Sequence, residues 1–483
     1  MIEMRIEFKN LWTGGLADSK YVGSENSVAA IKNLAIHDEL GAIRLNKAFV
    51  RQNAALFRTA PFPAIVYDNE GQTWFFDEDG QVVRRDSSGD YYDMDVIAGA
   101  GGDGVSDARE FEDNLYYARE QMIGKAAVAA AGGGWAGRTD DWNAPTGTGD
   151  YERCMEIQND ILFISAGNVI DQVEGATFTK AVLTFPTGWK ITSMGKYGTD
   201  LLIGMEKKGA GSTNISRIVR WNTWSANNSF TSDDIIPESG VHSFLDMDNL
   251  SVAAIGTQGN LYYYDGFVWK RFKRIPSKAG WSPDRQATVK LNASTNLQGR
   301  LLFGLSGGVT GSNQPSPLGI YSLASYAEGA PLVLSSPFTI SPDVREELEI
   351  NAMEVLGDGT LVTTWTNLYG TNVYGIDEQG SNMFAEGYFD TRLIVGEDRR
   401  KTKRYRATVN YREIPSGTSF EIWASVNGGA FAAMTVIVDT EHRTVYTKDF
   451  TAFCTDLQFR VKLIGSSTKT PIFESLIVED EQN

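Results

Sequence analysis

Residues 191–224 read ITSMGKYGTDLLIGMEKKGAGSTNISRIVRWNTW. The pattern predicts a short strand, a turn, an apolar strand from Leu201 to Met205, a Gly/Ser loop, and a strand from Arg217 to Trp221. The same order recurs on both sides. Ile157 to Val173 reads IQNDILFISAGNVIDQV, and Phe244 to Trp269 reads FLDMDNLSVAAIGTQGNLYYYDGFVW. Leu297 to Leu323 carries GRLLFGLSGG and LGIYSL, and Met353 to Ile376 carries LGDGTLVTTW and TNVYGI. Each unit pairs an apolar strand with a second strand rich in aromatic and β-branched residues. Equivalent strands recur roughly every 35–50 residues, the spacing of propeller blades. About six or seven units fit over residues 61–387. One such meander cannot bury both of its faces, whereas radial stacking buries them and shortens the exposed edges. The expected fold is therefore all-β, a propeller of about six or seven blades.

The chain before the repeats alternates from Met1 to Leu11, with Ile2, Met4, Ile6 and Phe8 on one face. This predicts a strand that pairs with a distant one and closes a ring. Residues 1–60 are read as an N-terminal arm with ring-closing strands, and Asp38 to Gly41 as a turn between two of them. Ile65 to Arg85 predicts three short strands separated by the turns DNEG and DEDG. Asp90 to Gly104 reads as an acidic, Gly-rich loop. Arg109 to Val128 predicts a second blade, and Ala130 to Tyr151 a long surface connection. Gly307 to Pro317 reads as a protruding insert. Pro342 to Met353 is the one candidate for a turn of helix. From Tyr388 the strands lengthen and alternate strictly, which suits a small sandwich over residues 388–483. Its apolar face is predicted to comprise Phe420, Ile422, Leu457, Phe459 and Val461. Pro415-Ser416-Gly417 and Asn427-Gly428-Gly429 read as hairpin turns.

The chain has 483 residues, 42% of them hydrophobic, enough for a substantial core in more than one domain. Its formal net charge of −17 disfavours general binding to nucleic acid or an anionic membrane. Two cysteines, Cys154 and Cys454, make neither a disulfide framework nor a zinc spacing. The N-terminus lacks the charged start and apolar run of a signal peptide, and no stretch approaches a membrane helix. The expectation is synthesis in a cytoplasm, with no membrane partner.

No residue set for catalysis stands out, and enzymatic activity is not expected; the family resemblance given below also implies no cofactor. His37, His242 and His442 lie in distant segments without metal-ligand spacing. Asp77-Glu78-Asp79 and Asp246-Met247-Asp248-Asn249 resemble short calcium loops but lack the glycine and distal glutamate of an EF-hand, so solvated turns are the simpler reading. Asp90, Asp93, Asp95 and Asp103 form a larger acidic cluster, for which a bound cation is the alternative reading. The Gly runs 99–104 and 132–134 lead into neither Lys-Ser/Thr nor a helix. Ser425 to Phe431, SVNGGAF, departs from the sialidase turn at Asn427 and Phe431. Two basic runs break the acidic background: Lys270, Arg271, Lys273 and Arg274 around Phe272, and Arg399, Arg400, Lys401 and Lys403 before Arg404. Edge protection or docking on an acidic neighbour accounts for them more simply than nucleic-acid binding.

Arg404 to Asn427, RYRATVNYREIPSGTSFEIWASVN, and Leu457 to Val478, LQFRVKLIGSSTKTPIFESLIV, resemble the terminal domain of tailed-phage virion proteins. There, KRF or KRY leads to an LP-x-GT turn, an SxDGG hairpin and a final TP-x-LxSIxV. A segment like GAIRLNKAF at 41–49 is also typical. Propeller followed by sandwich is similar to the tail hub or nozzle proteins of short-tailed phages. The resemblance implies a virion tail component, a ring of identical copies contacting neighbouring tail or neck proteins, and DNA passing without specific binding. In that setting Asp90, Asp93, Asp95 and Asp103 are the expected channel-lining residues, and the two basic runs the expected subunit-docking residues. A carbohydrate-binding or glycoside-cleaving propeller, and a receptor-binding tail protein, are the alternatives.

Overall fold

The computed structural model describes residues 2–9, 15–16, 27–36, 42–52, 60–94, 96–97, 104–128, 135, 137–146, 152–207, 215–223, 230–238, 240–247, 250–255, 260–274, 289–307, 319–324, 332–340, 348–368, 372–395, 402–438, 444–453 and 456–481. Seven four-stranded antiparallel sheets among them follow one another around a β-propeller. Their innermost strands are Ala64–Tyr67, Val105–Phe111, Met155–Gln158, Trp189–Tyr197, Val241–Met247, Ser294–Leu297 and Leu348–Val355. Each of these touches the next, and the last touches the first, so the ring is closed.

Tight turns make the first sheet. Asp68, Asp77 and Asp86 each begin an Asp-x-x-Gly segment. In each, one carboxylate oxygen accepts the N–H groups two and four residues on, at 2.5 to 3.0 Å. Gly71, Gly80 and Gly89 take the left-handed conformation that closes the turn. Asp68 also accepts the indole N–H of the buried Trp74 at 2.7 Å. Both readings of Asp77 thus resolve to a turn: its carboxylate caps its own backbone.

Glycine also decides how closely the sheets stack. The phrases LLIG and LLFG place Gly204 and Gly304 on the second strand of the fourth and sixth sheets. A Cβ on Gly304 would meet Ile350 of the seventh sheet at 2.3 Å, and one on Gly204 would meet Val241 of the fifth at 2.8 Å. Each seam also carries a polar tie. Thr192 and Ser193 donate to the Val241 carbonyl at 2.6 and 2.9 Å, and Ser306 both donates to and accepts from Ile350. Arg85 reaches Glu378 at 2.6 Å across the first and seventh sheets, and the Tyr91 hydroxyl donates to the same carboxylate.

Several expectations change here. The outer strand of the seventh sheet is Lys47–Arg51, from within GAIRLNKAF, so this strand closes the ring. Ile2–Lys9 does pair with a distant strand, Phe473–Glu481, but in the sandwich. The acidic loop after Asp90 begins with an outer strand, Tyr91–Asp93, and the surface connection contains another, Thr139–Asn143. Both were hidden because outer strands bury little and read as polar. Of the helical turn expected over Pro342 to Met353, residues 342–347 lie outside the described residues, and the rest belongs to an inner strand, Leu348–Val355, whose carboxylates obscured the alternation. The Asp38–Gly41 turn, most of the 307–317 insert and the two Gly runs lie outside the described residues, apart from Gly104 and Gly307.

The sandwich packs a four-stranded sheet on a seven-stranded one. The first holds Ile2–Lys9, Phe473–Glu481, Thr402–Tyr411 and Val445–Phe453. The second is built on Ser27–Lys32, Glu386–Thr391, Asp456–Ile464 and Ser419–Val426. Phe420, Ile422, Leu457, Phe459 and Val461 are all buried between them. Ring pairs Tyr411–Phe420, Phe450–Phe459 and Phe389–Phe473, 5.0 to 5.8 Å apart, join the two layers. Asn427-Gly428-Gly429 turns a hairpin. Pro415-Ser416-Gly417 instead carries the chain from one sheet to the other, since the strands on either side of it pair with different partners. The sandwich meets the propeller at the sixth sheet. Asn33 accepts the Thr339 N–H at 3.1 Å and donates to the Glu386 carbonyl.

Candidate functional site

The seven inner strands enclose an axial cavity of about 420 Å³. Each supplies a lining residue, among them Tyr67, Arg109, Glu156, Met194, Phe244, Thr295 and Glu354. One network anchors its wall. Asp107, fully buried, pairs with Arg109 at 2.7 Å and accepts the Met155 N–H at 2.6 Å. Asn292 donates to Asp107 at 3.0 Å and to the Pro63 carbonyl at 2.9 Å, and accepts from Arg109 at 3.1 Å. Burial pushes the Asp107 carboxyl above its usual range, against the pull of Arg109. Burial raises Glu354 as well. Glu156 accepts the Ile157 N–H at 2.9 Å and pairs with Lys196 at 3.3 Å.

The cavity is therefore lined by one guanidinium and several carboxylates that are held by each other and by backbone. Chemically this is a charged clasp, tying the second sheet to the third and to the segment before the sixth. The sequence signal for it was a charged residue inside an otherwise apolar first strand: VSDAREF, MEIQ, AMEV. Such residues read as ordinary outward-facing strand positions until the ring places them on the axis.

Of the expected channel-lining acids, Asp90 and Asp93 do not line this cavity. Asp90 closes the turn begun by Asp86, and Asp93 ends the outer strand of the first sheet, accepting the Gln81 amide at 2.9 Å. Both are exposed on the outer rim, and Asp95 and Asp103 lie outside the described residues. The first basic run is the outer strand of the fifth sheet, Trp269–Arg274, with Lys270 and Arg271 exposed and Lys270 paired with Asp265. The Phe267 side chain just before it is 87% exposed. Of the second run, Arg399, Arg400 and Lys401 lie outside the described residues, and Lys403 is on the sandwich strand Thr402–Tyr411. The neighbouring Arg404 and Arg406 converge on Asp449 at 2.7 and 2.8 Å.

His242 stands near Glu152 and Lys190, and burial lowers its pKa to about 4. His37 and His442 lie outside the described residues, as does Cys454. The Cys154 thiol is buried against Ser165 and pushed up to about 12 by that burial, which makes it a poor nucleophile. Among the described residues no group of three or more His, Cys, Asp or Glu is placed to hold a metal ion. Nor is any helix there long and apolar enough to cross a membrane.

No protein-family model matches this sequence, and no curated protein sequence does either. Solved structures are similar in fold at low identity. The extracellular domain of a hybrid two-component system from B. thetaiotaomicron is 14% identical over 78% of this chain, with a TM-score of 0.45; this chain spans 44% of its length. A second such domain from the same organism is 8% identical over 93% of this chain and 62% of its own, with a TM-score of 0.47. The WD40 β-propeller domain of Doa1 is 9% identical over 69% of this chain and 97% of its own, with a TM-score of 0.43.

Proposed function

We propose that this chain is a structural component of a bacteriophage tail, hub-like or nozzle-like, which assembles with other copies of itself into a ring around the DNA path. The observation that supports this best is how the N-terminal arm is spent. Residues 2–51 give an edge strand to the four-stranded sandwich sheet, strands to the seven-stranded sheet, and the closing strand to the propeller. Propeller and sandwich are clamped by one segment into a single body, as suits a load-bearing part. The phrases that carry the resemblance to tail proteins form the central strands and turns of that sandwich, Thr402–Tyr411, Ser419–Val426, Asp456–Ile464 and Phe473–Glu481.

In this reading the exposed acids of the outer rim, Asp90 and Asp93 among them, belong to the wall past which DNA slides. The Trp269–Arg274 edge, with Phe267 at its tip, belongs to the contact with a neighbouring subunit. The protein performs no catalysis and holds no cofactor. The test is electron microscopy of purified virions labelled with an antibody against this chain. Label at a fixed level of the tail supports the reading, and virions without label overturn it.

A further inference from the structure

We propose that the outer face of the seven-stranded sandwich sheet carries a binding groove for a neutral carbohydrate. The groove is a depression of about 330 Å³ lined by Glu386, Tyr388, Trp423, Phe431, Arg460 and Lys462. Strand alternation puts these side chains there. Tyr388 lies opposite Lys462, Glu421 opposite Lys462, and Trp423 opposite Arg460 in the ladders. Their neighbours Phe389, Ile422 and Val461 point the other way and are buried in the sandwich. Phe431 enters from the loop after the Asn427 turn.

The groove is rigid. The Arg460 guanidinium lies 4.0 Å from the Tyr388 ring centre and 4.4 Å from that of Phe431. Its other side makes a two-point pair with the buried Asp390, at 2.6 and 2.8 Å. Trp423 donates its indole N–H to Glu421 at 3.0 Å, and Lys462 pairs with Glu386 at 2.6 Å. A sandwich needs only its inner faces apolar, so three rings on a wet face are surplus to the fold.

The chemistry of the groove selects the ligand class. Arg460 covers one face of Tyr388 and one of Phe431, which leaves the Trp423 indole, with Tyr388 beside it, as the flat apolar surface that fits the C–H face of a pyranose. Carboxylate, ammonium and guanidinium groups at the rim offer donors and acceptors that hydroxyl groups can bridge. Three carboxylates, Glu386, Asp390 and Glu421, nearly balance two cations, Arg460 and Lys462. A polyanion would meet the carboxylates, and a polycation would have to break the existing pairs. A neutral, polyhydroxylated ligand avoids both costs. This assignment does not depend on the virion reading, since it concerns the isolated chain.

The experiment is calorimetric titration of the full chain with maltohexaose, laminarihexaose, mannohexaose and chitohexaose, and with a heparin hexasaccharide as the polyanion. At least one neutral oligosaccharide should bind. Trp423→Ala and Tyr388→Ala should each weaken it by about tenfold or more, the scale of one lost stacking contact. The half-exposed position of Trp423 lets that variant keep its melting temperature, and Trp423→Phe should restore most of the binding. Absence of binding by all four neutral probes, binding unchanged in both alanine variants, or binding of the heparin fragment alone would each overturn the proposal.

Discussion

His242 lies on the inner strand Val241–Met247 with its pKa lowered by burial to about 4, whereas an unfolded histidine titrates near 6.5. The folded chain therefore holds it neutral where the unfolded chain would take up a proton. Its contribution is fully present above pH 6.5 and is lost as the pH falls towards 4, up to about 3 kcal/mol in all. Asp77 acts with the opposite sign: burial raises it to about 7, so the fold gains from its protonation as the pH falls from 7 towards 3.8. Measured as a difference from the parent, His242→Gln should flatten the acid loss of stability between pH 6.5 and 4. An unchanged difference across that window would refute the assignment. Gly304→Ala should cost about 1–3 kcal/mol, because its new methyl has no room beside Ile350. Glu378→Ala should cost about 3 kcal/mol by stranding Arg85 and Tyr91 at the closing seam. Thermal melts of each variant check both.

Strands that bury both faces were legible from sequence, and strands on the rim were not. Ile161–Ala166 and Leu361–Asn367 are buried at every position; the first is nearly all apolar, and the second, LVTTWTN, is rich in β-branched residues. Tyr91–Asp93 and Thr139–Asn143 are largely exposed, so nothing in their composition separates them from loops. The sandwich strands were legible because Ser419–Val426 alternates between a wet and a dry face. The partners of the N-terminal strands were not, because pairing across more than 300 residues leaves no local mark. The consequence is testable. A fragment starting at Tyr388 keeps the apolar face of the sandwich but loses Ile2–Lys9 and Ser27–Lys32, baring two strand edges. It should aggregate or melt well below the whole chain, and supplying residues 1–52 in trans should recover it. A fragment as stable as the whole chain would show that those edges matter little.

For the whole molecule, charge separates the proposed role from nucleic-acid binding. A chain of net charge −17 repels phosphate over a Debye length of about 8 Å at physiological salt. A basic wall would instead retain DNA by counterion release. Purified, assembled protein should leave duplex DNA unshifted in a gel at low salt. Tight, salt-sensitive binding abolished by neutralising Lys270, Arg271, Arg400 and Lys401 would refute the slippery-wall reading. The axial clasp was the part of the site least visible beforehand. Arg109, Glu156 and Glu354 sit on separate repeats, and only ring closure brings them to one cavity.

The clamp formed by the N-terminal arm also sets an order in time. A ribosome adds about 5–20 residues per second, so a chain of this length takes on the order of a minute to make. Ile2–Lys9 must wait for Phe473–Glu481, and Lys47–Arg51 for Val373–Met383. Ile2–Lys9 thus stays without its partner strand long after it is made, and a polypeptide cut short before residue 473 never covers it. Only a chain translated past Glu481 can pair both Ile2–Lys9 and Lys47–Arg51, so the arm ties the exposure of its edges to how far translation has run.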